Sequence, residues 1–303
     1  MKDTRVDFEI DGKRIPAAFM TEDTASTGWC VVLISGSGPA DLDGNYAEGG
    51  MWPGRTDVLL QLSQQFAARG VACFRFSRAN LETLDETKAQ AFKRFDHRAV
   101  VAQAACRIAR ELSGAQIVAA GHSEGSVVGS MLCARPDSGV DALISLSGPA
   151  YRFYDLMLVG ADRRAVNGML HFGPTPIPVD LYKKSVEVVR YGQPAPEELK
   201  ALPFGFHTMD AVSQEYLRGY DAVDNSEVMA RANMPVLVVQ GGADASVWAE
   251  NGERLVQARK RSTSRTDYAF FPELDHFYKK SGQFAVDDAV ANYISDWLKV
   301  CRS

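Results

Sequence analysis

The most informative segment of this sequence reads Gln116-Ile117-Val118-Ala119-Ala120-Gly121-His122-Ser123-Glu124-Gly125-Ser126-Val127-Val128-Gly129. Five residues of strand character lead into a Gly-x-Ser-x-Gly pentapeptide, and a helical pattern begins directly after it. This order is typical of a strand, a sharp turn and a helix, in which the turn lifts the central serine clear of the sheet. Glycine is needed on both sides of Ser123, because side chains there would collide with the turn. We therefore predict that Ser123 is an accessible nucleophile at the end of a buried strand.

The helix that begins after Ser123 adds a second chemical signal. Its N-terminus directs partial positive charge towards the serine oxygen. The backbone N–H of Glu124 can then face an oxyanion that develops when the serine attacks a carbonyl group. The segment therefore indicates acyl-transfer chemistry at Ser123.

Strand and helix patterns alternate on both sides of this segment. A continuous apolar run, which is typical of a buried parallel strand, covers residues 29–34, and further strands are predicted at 71–76, 142–148, 235–240 and around 267–271. Helical periodicity covers residues 55–70, 96–112, 248–259 and 286–298. An Asp11-Gly12 turn predicts an antiparallel hairpin at the start of the chain. This alternation predicts an α/β fold with a mostly parallel central sheet and helices on both faces.

The alternation stops after Gly148 and resumes at Pro235. The sequence between residues 149 and 233 has a helical pattern that is interrupted by clusters of proline and aromatic residues. It contains no apolar run of the kind that a buried strand shows. We predict a helical cap at 149–233, inserted between a first part (1–148) and a second part (234–303) of the core. Some aromatic residues of the cap either wall an acyl pocket or pack onto the sheet domain: Tyr151, Phe153, Tyr154, Phe204 and Phe206.

A serine hydroxyl needs an imidazole that accepts its proton and a carboxylate that orients the imidazole. In a parallel sheet, these groups are expected just past the C-terminal ends of the strands. Asp244 follows the apolar run at 235–240, and His276 follows the last predicted strand. Asp275 is a rival acid, but neighbouring loop residues tend to point apart. His122 lies too close to Ser123 to act as its base, so we predict a packing or pocket-lining role for it.

These segments resemble the α/β-hydrolase superfamily, in particular capped esterases akin to dienelactone hydrolases and serine aminopeptidase-like proteins. The resemblance covers nearly the whole chain and rests on Gly36-Ser37-Gly38-Pro39, Gly121-His122-Ser123-Glu124-Gly125, the run 235–244 and Leu274-Asp275-His276-Phe277. It implies an α/β-hydrolase fold with Ser123 as nucleophile, Asp244 as acid and His276 as base. It also implies an oxyanion hole formed by the backbone N–H groups of Ser37 and Glu124, with Gly36 as the alternative to Ser37.

The chain departs from this family in one turn. Relatives often carry an Asp-Lys-Arg-Gly-like sequence where this chain reads Phe76-Ser77-Arg78-Ala79-Asn80. The departure leaves the three catalytic candidates unchanged and concerns the wall of the neighbouring pocket.

The expected function is that of a serine hydrolase that cleaves a carboxylic ester or thioester through an acyl-enzyme, with no cofactor. Two alternatives stay open, because a fold does not determine a function. One is an aminopeptidase or amidase that uses the same triad. Its cap would need an acid to hold a free amine, and the candidates are Asp155, Asp162, Glu187, Glu197 and Glu198. The other is a ligand receptor for which turnover is secondary.

Composition and charge argue against several other classes of protein. A net charge of -5 without a basic stripe makes nucleic acid and anionic membranes poor partners, and no apolar stretch approaches a membrane span. The five cysteines are scattered and are predicted to be reduced thiols rather than disulfides or metal ligands. We therefore expect a cytoplasmic protein with a small-molecule ester as its partner.

The segment Asp41-x-Asp43-x-Asn45 resembles the opening of a calcium-binding loop. Such a loop needs glycine where this chain has Tyr46, and glutamate where it has Trp52. We therefore predict no metal site, and a role for Asp41 and Asp43 in shaping the turn.

Overall fold

An eight-stranded sheet forms the centre of the computed structural model, which describes residues 1–22, 27–46, 54–78, 94–171, 175–202 and 205–301. Its strands are β1 (Lys2–Arg5), β4 (Ala17–Thr21), β5 (Trp29–Ile34), β6 (Ala72–Phe76), β7 (Gln116–His122), β8 (Ala142–Leu146), β11 (Val236–Gly241) and β12 (Thr266–Phe271). The spatial order is β1-β4-β6-β5-β7-β8-β11-β12. Neighbours from β6 to β12 are parallel, whereas β1 and β4 pair antiparallel at one edge.

Helices cover both faces of this sheet. One face carries α1 (Val58–Ala67) and α10 (Asp288–Cys301), and the other carries α2 (His97–Ser113), α3 (Glu124–Cys133) and α9 (Glu250–Ala258). The side chains of β5 alternate between the two hydrophobic cores, with Val31 and Leu33 in one and Val32 and Ile34 in the other. A strand that is buried on both faces needs apolar residues at every position, which explains the continuous apolar runs. The predicted α/β architecture is confirmed.

The N-terminal strands differ in detail from the prediction. The Asp11-Gly12 hairpin is present and joins β2 (Phe8–Ile10) to β3 (Lys13–Ile15). Pro16 then ends this ladder, because it has no N–H to donate, and Ala17–Thr21 pairs with β6 of the main sheet instead. The edge strand β1 leaves no sequence signal, because its residues are mostly exposed and show no apolar alternation.

Between β8 and β11 the chain forms the helical insert (residues 149–233). Its helices are α4 (Phe153–Arg164), α5 (Val179–Arg190), α6 (Glu197–Lys200), a 3-10 turn (Phe206–Thr208), α7 (Ala211–Asp221) and α8 (Asn225–Ala230). Two short strands, β9 (Met169–Leu170) and β10 (Ile177–Pro178), also pair within it. The ends of the insert are tied together: Asn225 Nδ2 donates to the Pro149 carbonyl at 2.7 Å, and Ser226 Oγ donates to the Ala150 carbonyl at 3.3 Å.

An aromatic cluster forms the interior of the insert. Tyr154 is 0% exposed and packs with Val186 and Val189. The partly buried Phe206 contacts this cluster, with its ring centroid 6.1 Å from that of Tyr154. Tyr154 therefore belongs to the core of the insert, whereas Phe204 lies outside the described residues.

We expect Tyr154→Ala to destabilise the protein by about 3–5 kcal/mol, because it leaves a cavity in a packed cluster. Urea unfolding measures this loss, and the ranking of acyl chains in an ester assay should stay as in the wild type. Tyr191→Ala is the matched control, since Tyr191 also lies in the insert but is 66% exposed. Unchanged stability together with a changed acyl ranking would assign Tyr154 to a substrate pocket instead.

The structure describes every cysteine of the chain. All five are free, and Cys30, Cys73, Cys106 and Cys133 are buried. In the part of the chain that the structure describes, no helix combines the length and the apolar character needed to cross a membrane.

Candidate active site

Ser123 lies in a sharp turn between β7 and α3. Its backbone has φ 54° and ψ -122°, a conformation that residues with side chains rarely adopt. A Cβ atom on Gly121 would lie 2.0 Å from the Gly125 carbonyl oxygen, and one on Gly125 would lie 2.3 Å from the Ile34 carbonyl oxygen. Both positions therefore require glycine. The structure places Ser123 half-buried at the C-terminal edge of the sheet, on the turn that the sequence predicts.

Asp244 and His276 meet in the loops that follow β11 and β12. His276 Nδ1 lies 2.7 Å from Asp244 Oδ2, and Asp244 Oδ1 accepts the backbone N–H groups of Ser246 and Val247, both at 2.8 Å. Burial alone would raise the pKa of Asp244, but the nearby His276 and these hydrogen bonds lower it below its usual value. An ionised carboxylate therefore keeps the proton of a neutral His276 on Nδ1 and presents Nε2 as a proton acceptor.

Ser123 and His276 are brought to the same edge of the sheet. His122, the neighbour of Ser123, contacts the His276 backbone, and the two histidine rings lie 4.7 Å apart. Within the described residues, no hydrogen bond joins Ser123 Oγ to His276 directly. In many enzymes such a contact tightens only when substrate binds.

The rival acid, Asp275, does not contact the imidazole of His276. Its Oδ1 accepts the backbone N–H groups of Phe277 and Lys279 at 2.8 and 2.9 Å. The buried Tyr278 anchors the same loop, because its hydroxyl donates to the Val239 carbonyl at 3.1 Å. Asp275 therefore shapes the turn that carries His276, and the geometry favours Asp244 as the partner of the imidazole.

His122 contacts the backbone of the loop that carries His276. It is buried, and its Nε2 lies 2.8 Å from the His276 carbonyl oxygen. Burial and the neighbouring His276 lower the pKa of His122 to about 3. The ring is therefore neutral near pH 7 and donates its Nε2 hydrogen to that carbonyl. This contact fits the packing role that the sequence predicts for His122.

We expect His122→Gln to flatten the pH dependence of stability in mild acid. The pKa of His122 in the folded protein is about 3, below the usual 6.5, so the unfolded chain takes up the proton first. Stability is therefore full above pH 6.5 and is lost as the pH falls towards 3. Glutamine keeps an N–H donor but does not titrate.

Urea unfolding at two pH values tests this expectation. Between about pH 7 and pH 5, the wild type should lose about 1–2 kcal/mol more than the variant. His97 titrates in both proteins, so its contribution cancels in the comparison. Equal losses would show that the His122 ring is not held neutral.

The loop after β5, here the Ser35–Gly38 loop, passes beside Ser123. A Cβ atom on Gly36 would lie 3.2 Å from Ser123 Cβ. Ser37 Oγ donates to Glu124 Oε2 at 2.7 Å, and Tyr46 donates its hydroxyl hydrogen to the Ser37 carbonyl at 3.0 Å. The two residues predicted for the oxyanion hole, Ser37 and Glu124, are therefore adjacent, with Gly36 next to them.

The segment that resembles a calcium loop forms a compact turn. Asp41 Oδ1 accepts the backbone N–H groups of Asp43 and Asn45, both at 2.8 Å. Asp41 therefore shapes the turn as predicted. Asp43 has a different role, because its carboxylate accepts from Arg75 Nε of β6 at 3.0 Å. Trp52 lies outside the described residues.

The sequence did not reveal the surroundings of the Glu124 side chain. This carboxylate is only 2% exposed; it contacts Arg98, lies 3.3 Å from Arg78 Nη1 and accepts the Tyr216 hydroxyl at 2.6 Å. Burial alone would raise the pKa of Glu124, but the two guanidinium groups lower it. No local motif marks these partners, because they come from three separate segments. The one available signal was the unusual turn that contains Arg78, of which Ala79 and Asn80 lie outside the described residues.

Comparisons with known proteins agree with this architecture. Residues 197–301 match the prolyl oligopeptidase family. No curated protein matches the chain in sequence. Among solved structures, the esterase domain of a Rhodothermus marinus protein has a TM-score of 0.53 and 16% identity over 99% of both chains.

Two further solved structures are also similar to this chain. The dienelactone hydrolase from Anabaena variabilis has a TM-score of 0.53 and 13% identity over 98% of this chain and 96% of that one. The acylaminoacyl peptidase from Pyrococcus horikoshii has a TM-score of 0.59 and 11% identity over 98% of this chain and 41% of that one. Identities this low concern the fold and leave the substrate open.

The chain has the α/β-hydrolase fold, as the resemblance of its sequence implies. The prolyl oligopeptidase match covers only residues 197–301, and the structural neighbours show the fold alone. Both esterases and peptidases occur among them, so they do not distinguish an ester from an amide substrate.

Proposed function

We propose that this chain is a serine hydrolase that cleaves a carboxylic ester or thioester through an acyl-enzyme. One observation carries the proposal: the strained Ser123 turn lies at the same sheet edge as the Asp244–His276 pair. Strain of this kind persists where the surrounding structure enforces it, often at catalytic nucleophiles. The chain thus offers a nucleophile, a base and an orienting acid in one place.

In the proposed mechanism, Ser123 Oγ attacks the acyl carbon while His276 Nε2 accepts the serine proton. Asp244 stabilises the resulting imidazolium and does not itself take up the proton. The tetrahedral intermediate collapses when His276 donates that proton to the leaving alcohol or thiol. A water molecule then attacks the acyl-enzyme with His276 as base, which releases the acid and restores Ser123.

The oxyanion of each tetrahedral intermediate needs hydrogen-bond donors that are fixed in advance. We assign this role to the backbone N–H groups of Ser37 and Glu124. Their adjacency across the Ser37–Glu124 hydrogen bond supports the assignment. The N-terminus of α3 adds favourable electrostatic potential at the same point.

The charges of the insert favour an ester over a peptide with a free amine. Among its described acids, Asp155 pairs with Arg190 at 2.6 Å, and Asp162 pairs with Lys183 at 2.5 Å. The remaining candidates are paired with lysine or exposed: Glu187, Glu197 and Glu198. Glu124, beside the nucleophile, is already paired with two arginines. None of these acids is both unpaired and sheltered from solvent, so none of them is suited to bind the free amine of a peptide substrate.

We further propose that the helical insert acts as a cap that selects substrates. Its contact with the site through Tyr216 supports this role. A cytoplasmic location is proposed with it, because free buried thiols suit a reducing compartment.

A substrate panel tests the proposed function. It contains nitrophenyl esters with short, long and aromatic acyl groups, a thioester, and aminoacyl nitroanilides with free and with acylated amines. We expect turnover of at least one ester and slower cleavage of every anilide. Preferred cleavage of the acylated anilide would favour an amidase. Ligand-induced stabilisation without any product would favour a receptor.

A further inference from the structure

We propose that Glu124, Arg98 and Arg78 position the Ser35–Gly38 loop for catalysis, and that Tyr216 of the insert completes this arrangement. The inference rests on the proposed function, because it concerns the oxyanion hole of that same site. Glu124 thereby has two roles: its backbone supplies a donor, and its side chain positions the other one.

The two arginines hold the backbone of the loop. Arg98 Nη2 donates to the Ser35 carbonyl at 2.8 Å. Arg78 Nη1 donates to the Gly38 carbonyl at 3.1 Å and to the Gly36 carbonyl at 3.4 Å. Carbonyl groups on both sides of Ser37 are therefore fixed by guanidinium groups.

The contact with Gly36 bears directly on the oxyanion donor. The Gly36 carbonyl and the Ser37 N–H belong to the same planar peptide unit and point in opposite directions. When Arg78 holds the carbonyl, it therefore fixes the direction of the Ser37 N–H. Hydrogen bonding at one end of a peptide unit also polarises the other end, which strengthens that N–H as a donor.

Glu124 keeps the two arginines in place. Its carboxylate contacts Arg98, lies 3.3 Å from Arg78 Nη1 and accepts from Ser37 Oγ at 2.7 Å. Among these described groups, two positive charges face one negative charge. Both guanidinium groups lie beside the loop where the oxyanion would form, and charges in a largely buried setting are poorly screened.

Tyr216 links the helical insert to this group. It lies on α7, and its hydroxyl donates to Glu124 Oε1 at 2.6 Å. The guanidinium carbon of Arg78 lies 4.9 Å from the centre of the Tyr216 ring. Docking of the insert therefore contributes a contact to the oxyanion side of the site.

The experiment compares Tyr216→Phe and Glu124→Gln with the wild type in the full chain. The matched control is Tyr182→Phe, because the Tyr182 hydroxyl contacts Met157 Sδ at 3.9 Å within the insert. Five quantities are measured: the rate at which a fluorophosphonate labels Ser123, kcat and KM for an ester, the affinity of a boronic acid that mimics the tetrahedral state, and the unfolding midpoint.

We expect Tyr216→Phe to lower kcat and the labelling rate about fivefold, and Glu124→Gln to lower them about 100-fold, the order of effect of one oxyanion donor. KM should stay within about twofold of the wild-type value, because the lost interaction is specific to the transition state. Boronic acid affinity should fall in parallel with kcat. Tyr182→Phe should match the wild type in all of these quantities except the unfolding midpoint.

The outcomes separate this inference from the function on which it rests. A wild type that no fluorophosphonate labels would overturn the serine hydrolase function itself. If the wild type is labelled and both variants are labelled at the same rate, the positioning role alone would be overturned. If Glu124→Gln does not fold, the kcat and the boronic acid affinity of Tyr216→Phe alone test the positioning role. A lower unfolding midpoint with unchanged kcat and boronic acid affinity would make Tyr216 a purely structural residue and overturn the proposal.

Discussion

Ser123→Ala should abolish ester turnover, with a loss in kcat of at least about 10⁴-fold, because alanine cannot form the acyl-enzyme. The protein should stay folded, since the side chain is only half-buried and its backbone turn is held by Gly121 and Gly125. Residual activity and the unfolding midpoint are measured on the same preparation. A fluorophosphonate should label the wild type at Ser123 only, as mapped by mass spectrometry of peptides.

Ser130→Ala is the matched control for this variant. Ser130 lies on the same helix, α3, and its hydroxyl donates to the Ser126 carbonyl at 2.9 Å. It takes no part in the proposed chemistry, so its loss should leave turnover and labelling unchanged. Labelling at a serine other than Ser123, or full activity of Ser123→Ala, would refute the assignment of the nucleophile.

Asp244→Asn is expected to lower kcat by about two to four orders of magnitude. The Asn oxygen can still accept the N–H groups of Ser246 and Val247, so the loop keeps its shape. Its amide then faces His276 Nδ1 as a donor where an acceptor is needed, which favours the wrong tautomer of the ring. KM should change little, because the carboxylate does not touch the ester. Steady-state kinetics on one good ester measures both constants.

Asp275→Asn is the comparison that makes this result specific. Asp275 Oδ1 accepts the N–H groups of Phe277 and Lys279, and an Asn oxygen can do the same. Most activity should therefore remain, within about tenfold of the wild type. If Asp275→Asn were the inactive variant and Asp244→Asn the active one, Asp275 would be the catalytic acid.

The sequence was sufficient to predict the parts of the site that depend on local patterns. The turn at Ser123 is predictable because tight packing forces glycine at positions 121 and 125. The meeting of the candidate acid Asp244 and the candidate base His276 is predictable, because each follows a strand at the C-terminal edge of a parallel sheet, where loops converge. Strand β5 was predicted at its observed bounds, since burial on both faces leaves an unbroken apolar run.

The remaining features depend on contacts between distant segments. Glu124 meets Arg98 of α2 and Tyr216 of α7, and neither partner lies within a motif. An arginine at a helix position gives no sign of whether it will be solvated or paired with a buried carboxylate. The environment of Tyr154 could not be predicted either, because an aromatic side chain is equally suited to a pocket wall and to a packed core. Only the fold decides between these environments.

The hydrogen bonds that join the two ends of the helical insert affect how the sequence of such a protein can diverge in evolution. Asn225 and Ser226 hold the exit of the insert against its entrance at Pro149 and Ala150. These two hydrogen bonds restrain the distance between the two ends of the insert. Changes in the length or sequence of the intervening residues need not move the strands that lead to Ser123, Asp244 and His276. The insert can consequently evolve faster than the sheet that carries these three residues, except at positions such as Tyr216 that contact the candidate site.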